Sequence, residues 1–477
     1  MLTDYKIING NSLEVLDTLE ENSVSSIVTD PPYELGFMGK AWDASGIAYN
    51  VDLWKKALRV LKPGGYLLAF GGTRTYHRIC CAIEDAGFEI RDCIMWLYGS
   101  GFPKSMSIGK VVESKLVLGS ANVKDIKRLD GTKTSITGGW VGNELEQGKR
   151  QENYEQTKTI VNYTTEEGKK WDGWGTALKP AYEPIIVAKK PVEDTIVNNV
   201  LKYGVGGINI DGCRVGDEEL HNAYAANKTG FTSGDTRTGK ALGMFANQKE
   251  GETVVNGRFP ANVILTYDET DYNEVCGGMP ETKSTGGSGE TSQINTFSNV
   301  KIGVNGKNTD AHLGRLGDEG SAARYFYCAK ASSKDRDEGL DDFEVKTKVF
   351  NGKSDKSSTD IKDVEERFTT ELRNIHPTVK PTELMQYLVR LVTPKGGTVL
   401  DIFNGSGSTG KAVAFENRER NADYKYIGIE LDPEYCKISE ARIDYAANKY
   451  KYDVIAEVKE NEKKGQLSLF DFSEEDQ

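Results

Sequence analysis

The sequence predicts an α/β fold in which a mainly parallel sheet binds its ligands at the carboxyl ends of the strands. First, apolar β-branched runs alternate with segments of helical periodicity through residues 1–100, a pattern typical of βαβ units. Second, the apolar run 26–29 ends at Asp30 and two prolines, which cannot continue a strand. Third, the apolar run 397–402 leads into a glycine loop and a helix. These two strand ends are the candidate functional site.

Periodicity and turn residues place the individual elements. Strands are predicted at residues 5–8, 26–29, 66–70, 88–97, 185–188, 261–265, 324–328, 397–402 and 426–432. Helices are predicted after the turn at residues 9–11, at residues 49–61 and 74–86, after residue 381, after the glycine loop, and up to about residue 450. Residues 62–65 (Lys-Pro-Gly-Gly) are expected to stop the helix before them. Residues 282–320 and 332–367 predict disorder or a variable insertion.

Length, charge and cysteine content limit the class of protein. The chain has 477 residues, of which 38% are hydrophobic, and this is enough for a sizeable core. No run approaches a membrane span and no signal peptide opens the chain, so a cytoplasmic protein without a membrane partner is expected. Seven cysteines without paired CxxC spacing, and only four histidines, argue for reduced thiols and against structural zinc. A net charge of −12 argues against indiscriminate nucleic-acid binding but permits a local basic groove.

Asp30, Pro31, Pro32 and Tyr33 form the first anchor of the predicted site. Acceptors aimed at an exocyclic amine favour its pyramidal, nucleophilic form and stabilise the positive charge that develops as it attacks a methyl sulfonium. The four residues resemble the catalytic signature of DNA amino-methyltransferases. That resemblance implies that all four are catalytic, with the acid and the next carbonyl holding the amine while Tyr33 stacks on a flipped-out base. The alternative is a tight turn that caps a strand. Tyr182 is a candidate lining for the same pocket, or an ordinary packed aromatic.

The second anchor is the glycine loop at residues 404–410. Its glycines let the backbone approach a bound nucleotide, and Glu430, 25 residues beyond Gly405, can accept hydrogen bonds from both hydroxyls of a ribose. The loop also satisfies GxGxxG, so an NAD(P)-dependent dehydrogenase is a rival interpretation. Asp401 favours S-adenosylmethionine instead, because an acid at this strand end suits a ligand with an ammonium group rather than a pyrophosphate.

The pattern from residue 403 to residue 407 (Phe-x-Gly-x-Gly) matches amino-methyltransferases, and residues 376–381 resemble the family's segment that caps the methionine end of the cofactor. The resemblance implies S-adenosyl-L-methionine as the cofactor and no metal. Asn11 stands where many members of the family carry an acid that contacts the cofactor's adenine amine. The residues so implied in cofactor binding are Asn11, Thr378, Lys380, Asp401, Phe403, Asn404, Gly405, Gly407, Glu430 and Asp432.

The order of the anchors, with the catalytic signature first and the cofactor loop last, is similar to that of β-class DNA amino-methyltransferases from phages and bacteria, including restriction–modification enzymes. It implies a Rossmann-like seven-stranded methyltransferase sheet, circularly permuted, with an inserted target-recognition region. The implied activity is site-specific methylation of the exocyclic N6 of adenine in double-stranded DNA, because the form that begins with Asp is typical of N6-adenine enzymes. Cytosine-N4 methylation and a non-catalytic DNA-binding protein are the alternatives.

Six segments follow from this interpretation: a catalytic half (1–100), a polar insertion that is a candidate DNA contact (101–170), a strand returning to the sheet (171–191), a target-recognition region (192–370), a cofactor-binding half (371–450) and a charged tail (451–477). In the tail, Gln466, Leu467, Ser468, Leu469 and Phe470 resemble the motif with which bacterial proteins dock on the replicative sliding clamp. A tail that packs on its own domain is the alternative.

Overall fold

A computed structural model describes residues 4–36, 41–98, 105–119, 163–222, 253–267, 281–284, 318–321, 326–330, 335–349 and 369–448. The clamp-like motif at residues 466–470 and most of the polar insertion at 101–170 lie outside these ranges. Within them, no helix combines the length and the apolar character needed to cross a membrane.

The central sheet contains nine of the described strands. They are β1 (Tyr5–Asn9), β2 (Val24–Thr29), β3 (Leu61–Phe70), β4 (Glu89–Tyr98), β5 (Tyr182–Lys189), β8 (Val263–Tyr267), β11 (Tyr327–Lys330), β14 (Thr398–Asp401) and β15 (Lys425–Glu430). Their order is β1-β15-β14-β2-β3-β5-β4-β8-β11. β5 runs antiparallel to β3 and β4, and every other neighbouring pair in this sheet is parallel.

Among the described residues, three two-stranded ribbons accompany the sheet. They pair β6 (Val215–Asn222) with β7 (Thr253–Arg258), β9 (Glu281–Ser284) with β10 (Asp318–Ser321), and β12 (Lys346–Val349) with β13 (Thr369–Leu372). The described helices are α1 (Ser12–Thr18), α2 (Val51–Val60), α3 (Tyr76–Asp85), α4 (Ile108–Leu118), α5 (Glu166–Lys170), α6 (Ile196–Tyr203), α7 (Thr382–Val392), α8 (Ser408–Arg420) and α9 (Pro433–Ala447).

The sheet is buried on both faces. One hydrophobic core packs α1, α2 and α3 against it, and the other packs α7, α8 and α9 against the opposite face. Ile27 and Val28 follow each other in β2 and belong to different cores, because successive side chains of a strand point to opposite faces. This double burial explains why β2 and β14 read as continuous apolar, β-branched runs rather than as alternating ones.

The strand order places the two anchors next to each other. β14 lies between β15 and β2, with Val399 opposite Ser26 and Leu400 opposite Ile27, although these residues are far apart in the chain. The predicted α/β class, the mainly parallel sheet and the permuted order are confirmed. The sheet has nine strands rather than seven because β8 and β11, from the predicted target-recognition region, extend it beyond β4 and cover that strand's edge.

The helix before residues 62–65 ends as expected, but the next strand begins earlier than residue 66. Helix α2 ends at Val60, and β3 begins at Leu61 and runs through this Pro-Gly stretch. The register between β2 and β3 shifts there, and Gly64 has a φ of +78°. A side chain at Gly64 would collide with Asn199, since its Cβ would lie 2.3 Å from Asn199 Nδ2. The Pro-Gly stretch therefore follows the end of the helix and is accommodated in β3 as an irregularity of the β2–β3 pairing.

The expectation of disorder or a variable insertion over residues 332–367 is wrong for residues 335–349, which form a turn followed by β12. Leu340 in this turn is fully buried. Asp335 accepts a hydrogen bond from the Thr382 N–H and Arg336 donates to the Asn374 carbonyl, both in the predicted cofactor-binding half. The turn is rich in acidic residues, which predicts exposure. It is ordered because some of these acids are paired with buried cations, and composition alone does not reveal such pairs.

Candidate active site

Thr29 and Asp401, the last residues of two neighbouring strands, connect the two anchors. The hydroxyl of Thr29 donates a hydrogen bond to Asp401 Oδ1 at 2.7 Å, and both side chains are buried. Asp30 follows Thr29, and the glycine loop follows Asp401. A single hydrogen bond therefore joins the strand end that carries the predicted catalytic signature to the strand end that carries the predicted cofactor loop.

Asp30 faces a buried lysine. Lys380 Nζ donates to Asp30 Oδ2 at 2.6 Å, and only 8% of Lys380 is exposed. The other oxygen, Asp30 Oδ1, is buried and accepts no hydrogen bond from the described residues. Burial raises the pKa of Asp30, the Lys380 ammonium opposes that rise, and Glu183 adds to it. The site thus holds a carboxylate oxygen that is desolvated yet free to accept a hydrogen bond.

Tyr33 lies against the same lysine. Its hydroxyl donates to Glu183 Oε2 at 2.6 Å, and its carbonyl accepts a hydrogen bond from Thr75 Oγ1 at 2.7 Å. Lys380 Nζ lies 5.2 Å from the centroid of the Tyr33 ring and 4.9 Å from that of Phe70, within cation–π range. Burial, followed by the charge of Asp30, raises the pKa of Tyr33 well above its ordinary value, so the hydroxyl stays protonated.

The other two members of the signature shape the chain's exit from the sheet. Pro31 is buried and Pro32 is half-buried, and neither can donate a backbone hydrogen bond to a neighbouring strand. The strand therefore ends at Thr29, and Asp30 and Tyr33 are brought to the carboxyl edge of the sheet.

Glu430 organises the glycine loop on the cofactor side. Its two carboxylate oxygens accept backbone hydrogen bonds, Oε2 from Gly405 at 2.7 Å and Oε1 from Asp432 at 2.8 Å. Gly405 and Gly407 have φ values of +52° and +76°, a region that favours glycine. Burial raises the pKa of Glu430 to about 7 even though the two N–H groups oppose it.

Asp401 is buried beneath this loop and holds its shape. It accepts hydrogen bonds from Thr29 Oγ1, from Thr409 Oγ1 at 2.6 Å and from the Phe403 N–H at 3.1 Å. Burial raises the pKa of Asp401 to about 6, and these donors oppose the rise. The donors come from the end of β2, from the residue before the glycine loop and from the start of α8, so Asp401 ties the loop, the following helix and β2 together.

Three of the predicted cofactor residues use their side chains within the chain. Asn404 is buried, accepts from Tyr426 OH at 2.6 Å and donates to Ser439 Oγ at 2.9 Å. Asp432 caps the start of α9, where it accepts from the Glu434 N–H. Asn11 caps the start of α1, where its side-chain oxygen accepts from the Leu13 N–H at 3.0 Å. The structure thus gives each of them a local structural contact at the loop or at a helix end.

The segment from residue 374 to residue 380 crosses between the anchors. His376 packs over Gly405, so that a side chain at Gly405 would lie 3.0 Å from His376 Nε2. Burial, and then the Lys380 charge, lowers the pKa of His376 to about 4 and keeps its ring neutral. Thr378 is exposed at this crossing. Lys380, predicted as a cofactor ligand, points its ammonium at Asp30 and Glu183.

A buried ionic cluster supports this segment and the glycine loop. Lys411 and Arg442 are fully buried, and both reach Asp335. Arg442 also donates to the Ser406 carbonyl at 2.7 Å, inside the glycine loop. Arg336 donates to the carbonyls of Asn374 and His376. The turn that begins at Asp335 is therefore part of the scaffold of the site.

Sequence reasoning missed Glu183 and the position of Lys380. It selected Tyr182 as a candidate pocket residue, and the contact with Tyr33 comes instead from Glu183, the next residue of β5. The available signal was an acid at the start of a mainly apolar strand, where it cannot be buried without a partner.

A doubly wound sheet with a glycine loop and an acid at neighbouring strand ends is the arrangement that binds nucleotide ligands in this class of α/β proteins.

A family model described as a DNA methylase matches residues 24–441, which is most of the chain, and the chain belongs to this family. It is 32% identical over 108 residues to the type II methyltransferase M.HpaI of Haemophilus parainfluenzae, an alignment that covers 21% of this chain and 34% of that protein. It is 38% identical over 93 residues to the DNA adenine methyltransferase YhdJ of Escherichia coli K12, covering 20% and 29%. The chain thus spans about a third of the length of these two relatives.

Among solved structures, the chain is similar to the cytosine-N4-specific PvuII DNA methyltransferase, with 14% identity, a TM-score of 0.36 and coverage of 93% of this chain and 87% of that one. The order and direction of this chain's own strands, rather than that likeness, define the fold.

Proposed function

We propose that this protein transfers a methyl group from S-adenosylmethionine to the exocyclic N6 of adenine in double-stranded DNA. The observation that supports this best is the free, buried Oδ1 of Asp30 at a strand end that is hydrogen-bonded to the strand end of the glycine loop. An acceptor for an amine then stands beside a place for a nucleotide cofactor. Membership in the DNA methylase family supports the same activity and argues against the dehydrogenase alternative.

The residues of the second anchor fit the cofactor. Gly405 and Gly407 give the loop its positive-φ backbone, and the Glu430 carboxylate has lone pairs beyond those used by the Gly405 and Asp432 N–H groups, which suit ribose hydroxyls. Phe403 is half-buried beside the loop and offers an apolar contact for the adenine ring. Bound S-adenosylmethionine would supply an electrophilic methyl group carried on a sulfonium.

Asp30 and the Pro31 carbonyl would hold the amine of the target base, and Tyr33 would stack on its ring. Flipping a base out of the duplex costs a few kcal/mol. Stacking on an aromatic side chain returns about 1–3 kcal/mol. In the reaction the amine nitrogen would form a bond to the methyl carbon as the bond from that carbon to sulfur breaks, and the methylated amine would release one proton to solvent. The acidic site stabilises the positive charge that develops on the nitrogen.

The test is to incubate the protein with methyl-labelled S-adenosylmethionine and mixed-sequence duplex DNA, and then to digest the DNA and separate its nucleosides. We expect label in N6-methyladenine. Label in N4-methylcytosine would favour the cytosine alternative, which the family also admits. DNA without label, tested over a broad set of sequences, would contradict the proposed activity and favour a DNA-binding protein without catalysis.

The choice of adenine over cytosine is supported by the acid at the first position of the signature and by the adenine-methylating relative YhdJ. For residues 192–370 we propose the role of target recognition; two strands of this region, β8 and β11, attach it to the sheet.

For residues 466–470 we propose docking on the sliding clamp. Loss of clamp pull-down after deletion of residues 466–470 would support that contact, and unchanged pull-down would contradict it.

A further inference from the structure

Lys380 lies between two carboxylates at the base-binding end of the site. Its Nζ is 2.6 Å from Asp30 Oδ2 and 3.5 Å from Glu183 Oε2. The first is a short, charge-assisted hydrogen bond, and the second is a longer ion-pair contact. The side chain is 9% exposed and is enclosed by the rings of Tyr33 and Phe70. The ammonium therefore has two acceptors within a small displacement and little access to water.

The side chains around Lys380 carry a net negative charge when both carboxyl groups are ionised. Asp30 and Glu183 contribute two negative charges and Lys380 one positive charge, while the Tyr33 hydroxyl is neutral and donates to Glu183. An exocyclic amine that binds Asp30 must replace or join the ammonium on this carboxylate. Glu183 is the acceptor that the displaced ammonium can reach.

We propose that Lys380 is a positioning residue for methyl transfer: its ammonium keeps Asp30 ionised before the base binds, and it then moves onto Glu183 as the amine of the base takes its place. This inference rests on the proposed function. It assigns to Lys380 a role on the base side of the site, whereas the sequence resemblance implied a contact with the cofactor. It also assigns to Glu183 the role of second acceptor.

The groups that face Asp30 come from several elements. They are Lys380 from the crossing segment, Glu183 from β5, Tyr33 from the same loop and Asp401 from β14. Two further groups act on these partners: His376 lies near Lys380, and the Tyr98 hydroxyl of β4 donates to Glu183. Burial would lower the pKa of Lys380, but the nearby carboxylates of Asp30 and Glu183 raise it instead. His376 is neutral at neutral pH because its pKa is lowered. Lys380 is therefore the cation that sets the ionisation of Asp30 among these facing groups.

The variants Lys380→Met and Glu183→Gln move the ionisation of Asp30 in opposite directions. Without the ammonium, the pKa of Asp30 rises, so a smaller fraction is ionised at neutral pH and the rate recovers as the pH increases. Without the Glu183 charge, the pKa of Asp30 falls, and the acid limb of the profile moves to lower pH. The Gln side chain also holds the ammonium less well, so it competes with the base for Asp30 and the maximal rate falls.

The experiment measures single-turnover methyl transfer by the full chain from pH 5.5 to 9, with saturating S-adenosylmethionine and the DNA that the wild type methylates. We expect K380M to lose at least tenfold in rate at pH 7, with the loss shrinking toward pH 9, and K380R to keep the wild-type shape of the profile. E183Q is expected to shift the acid limb to lower pH. Thermal melting and cofactor titration verify that each variant is folded.

Two results would overturn the proposal. One is a K380M profile parallel to that of the wild type. The other is a K380M variant with a wild-type rate at saturating cofactor but much weaker cofactor binding, which would place Lys380 on the cofactor. A titration without DNA separates this inference from the proposed function. In protein labelled with ¹³C at aspartate carboxyls, the Asp30 signal, assigned with D30N, should titrate at higher pH in K380M. An unchanged midpoint contradicts the role of Lys380 even if no DNA is methylated.

Discussion

Two buried lysines of the candidate site and its scaffold, Lys411 and Lys380, differ in how fully their partners are hydrogen-bonded. Lys411 is fully buried, and its ammonium donates to the Asp335 carbonyl at 3.1 Å, Asp335 Oδ1 at 2.6 Å and Glu338 Oε2 at 2.9 Å. Asp335 also accepts from the Thr382 N–H at 2.7 Å through its other oxygen. Lys380 makes one short contact, with Asp30, whose second oxygen accepts nothing from the described residues.

The difference separates scaffold from site. A buried ion pair is tolerated when its remaining lone pairs and protons are hydrogen-bonded, and the Lys411 ammonium, with its three acceptors, meets that condition. A buried carboxylate oxygen without a donor is costly in the resting protein, and such atoms concentrate where a ligand will supply the missing partner. We therefore expect the contacts of Lys411 to stabilise the fold, and the pair of Lys380 and Asp30 to bind a ligand.

The largest effect is expected for Asp30→Ala, which removes the free acceptor. Removing one preorganised electrostatic contact from a transition state costs about 10²–10³ in rate, and here the whole carboxylate is lost. We therefore expect methyl transfer to fall by roughly 10³-fold or more, with the cofactor dissociation constant nearly unchanged. Single-turnover kinetics and calorimetric titration measure the two quantities. Asp52→Ala, at an exposed ion pair on α2, is the matched control, and equal losses in both variants would remove Asp30 from the reaction.

The next effect concerns stability. Lys411→Met removes the ammonium from Asp335 and Glu338 and leaves Arg442 as the cation near Asp335. Removing one partner of a buried ion pair costs about 3–5 kcal/mol. Urea denaturation should show that loss, while Lys55→Met, which breaks an exposed pair of 3.5 Å, should leave the free energy of unfolding unchanged. Correctly folded K411M is expected to keep the wild-type pH profile of methyl transfer. A shifted pH profile would show that Lys411, like Lys380, affects the methyl-transfer step and not only the stability of the fold.

The fold and both anchors could be predicted from sequence because their signals are local. A β-branched run that ends in an acid and two prolines specifies a strand and its end, and a glycine loop between a strand and a helix specifies the second anchor. The adjacency of the two strands followed from their family order, and Val399 indeed pairs with Ser26. The sequence therefore located the two neighbouring strand ends that form the candidate site.

The partners of the anchors could not be predicted, since they depend on contacts between distant parts of the chain. Lys380 meets Asp30 across 350 positions, and Glu183 meets Tyr33 across 150. Arg442 meets the Asp335 carbonyl across 107. The local sequence around Asp335 is polar and charged, which predicts solvent exposure, and only the packed cations reverse that expectation. The extension of the sheet by β8 and β11 depends on pairing of the same long-range kind.

A smaller effect is expected at Glu430, which sharpens the contrast between the cofactor side and the base side. Because burial raises the pKa of Glu430 to about 7, its carboxylate forms as the pH rises from 6 to 8, and S-adenosylmethionine should bind more tightly over that range. Glu430→Gln should weaken binding by about tenfold at pH 8, in line with a hydrogen bond to a charged group of roughly 1.5–3 kcal/mol, and should remove most of the pH dependence. Calorimetric titration at several pH values measures both. A wild-type affinity that is flat with pH would contradict this role.

The smallest effect is expected for Thr29→Val, which removes the hydrogen bond between the two strand ends while keeping the shape of the side chain. The pKa of Asp401 is raised by burial to about 6, above its unfolded value, so its contribution to stability is lost as the pH rises through 6. Thr29 stabilises the ionised form, and the variant should therefore lose about 1 kcal/mol or somewhat more at pH 8 and less at pH 5. Ser26→Ala breaks a buried hydrogen bond of 2.8 Å between two hydroxyls, Ser26 and Thr393, and should cost the same at both pH values. Urea denaturation of the two variants at pH 5 and pH 8 makes the comparison, and a pH-independent loss in T29V would mean that the strand ends are joined without the charge of Asp401.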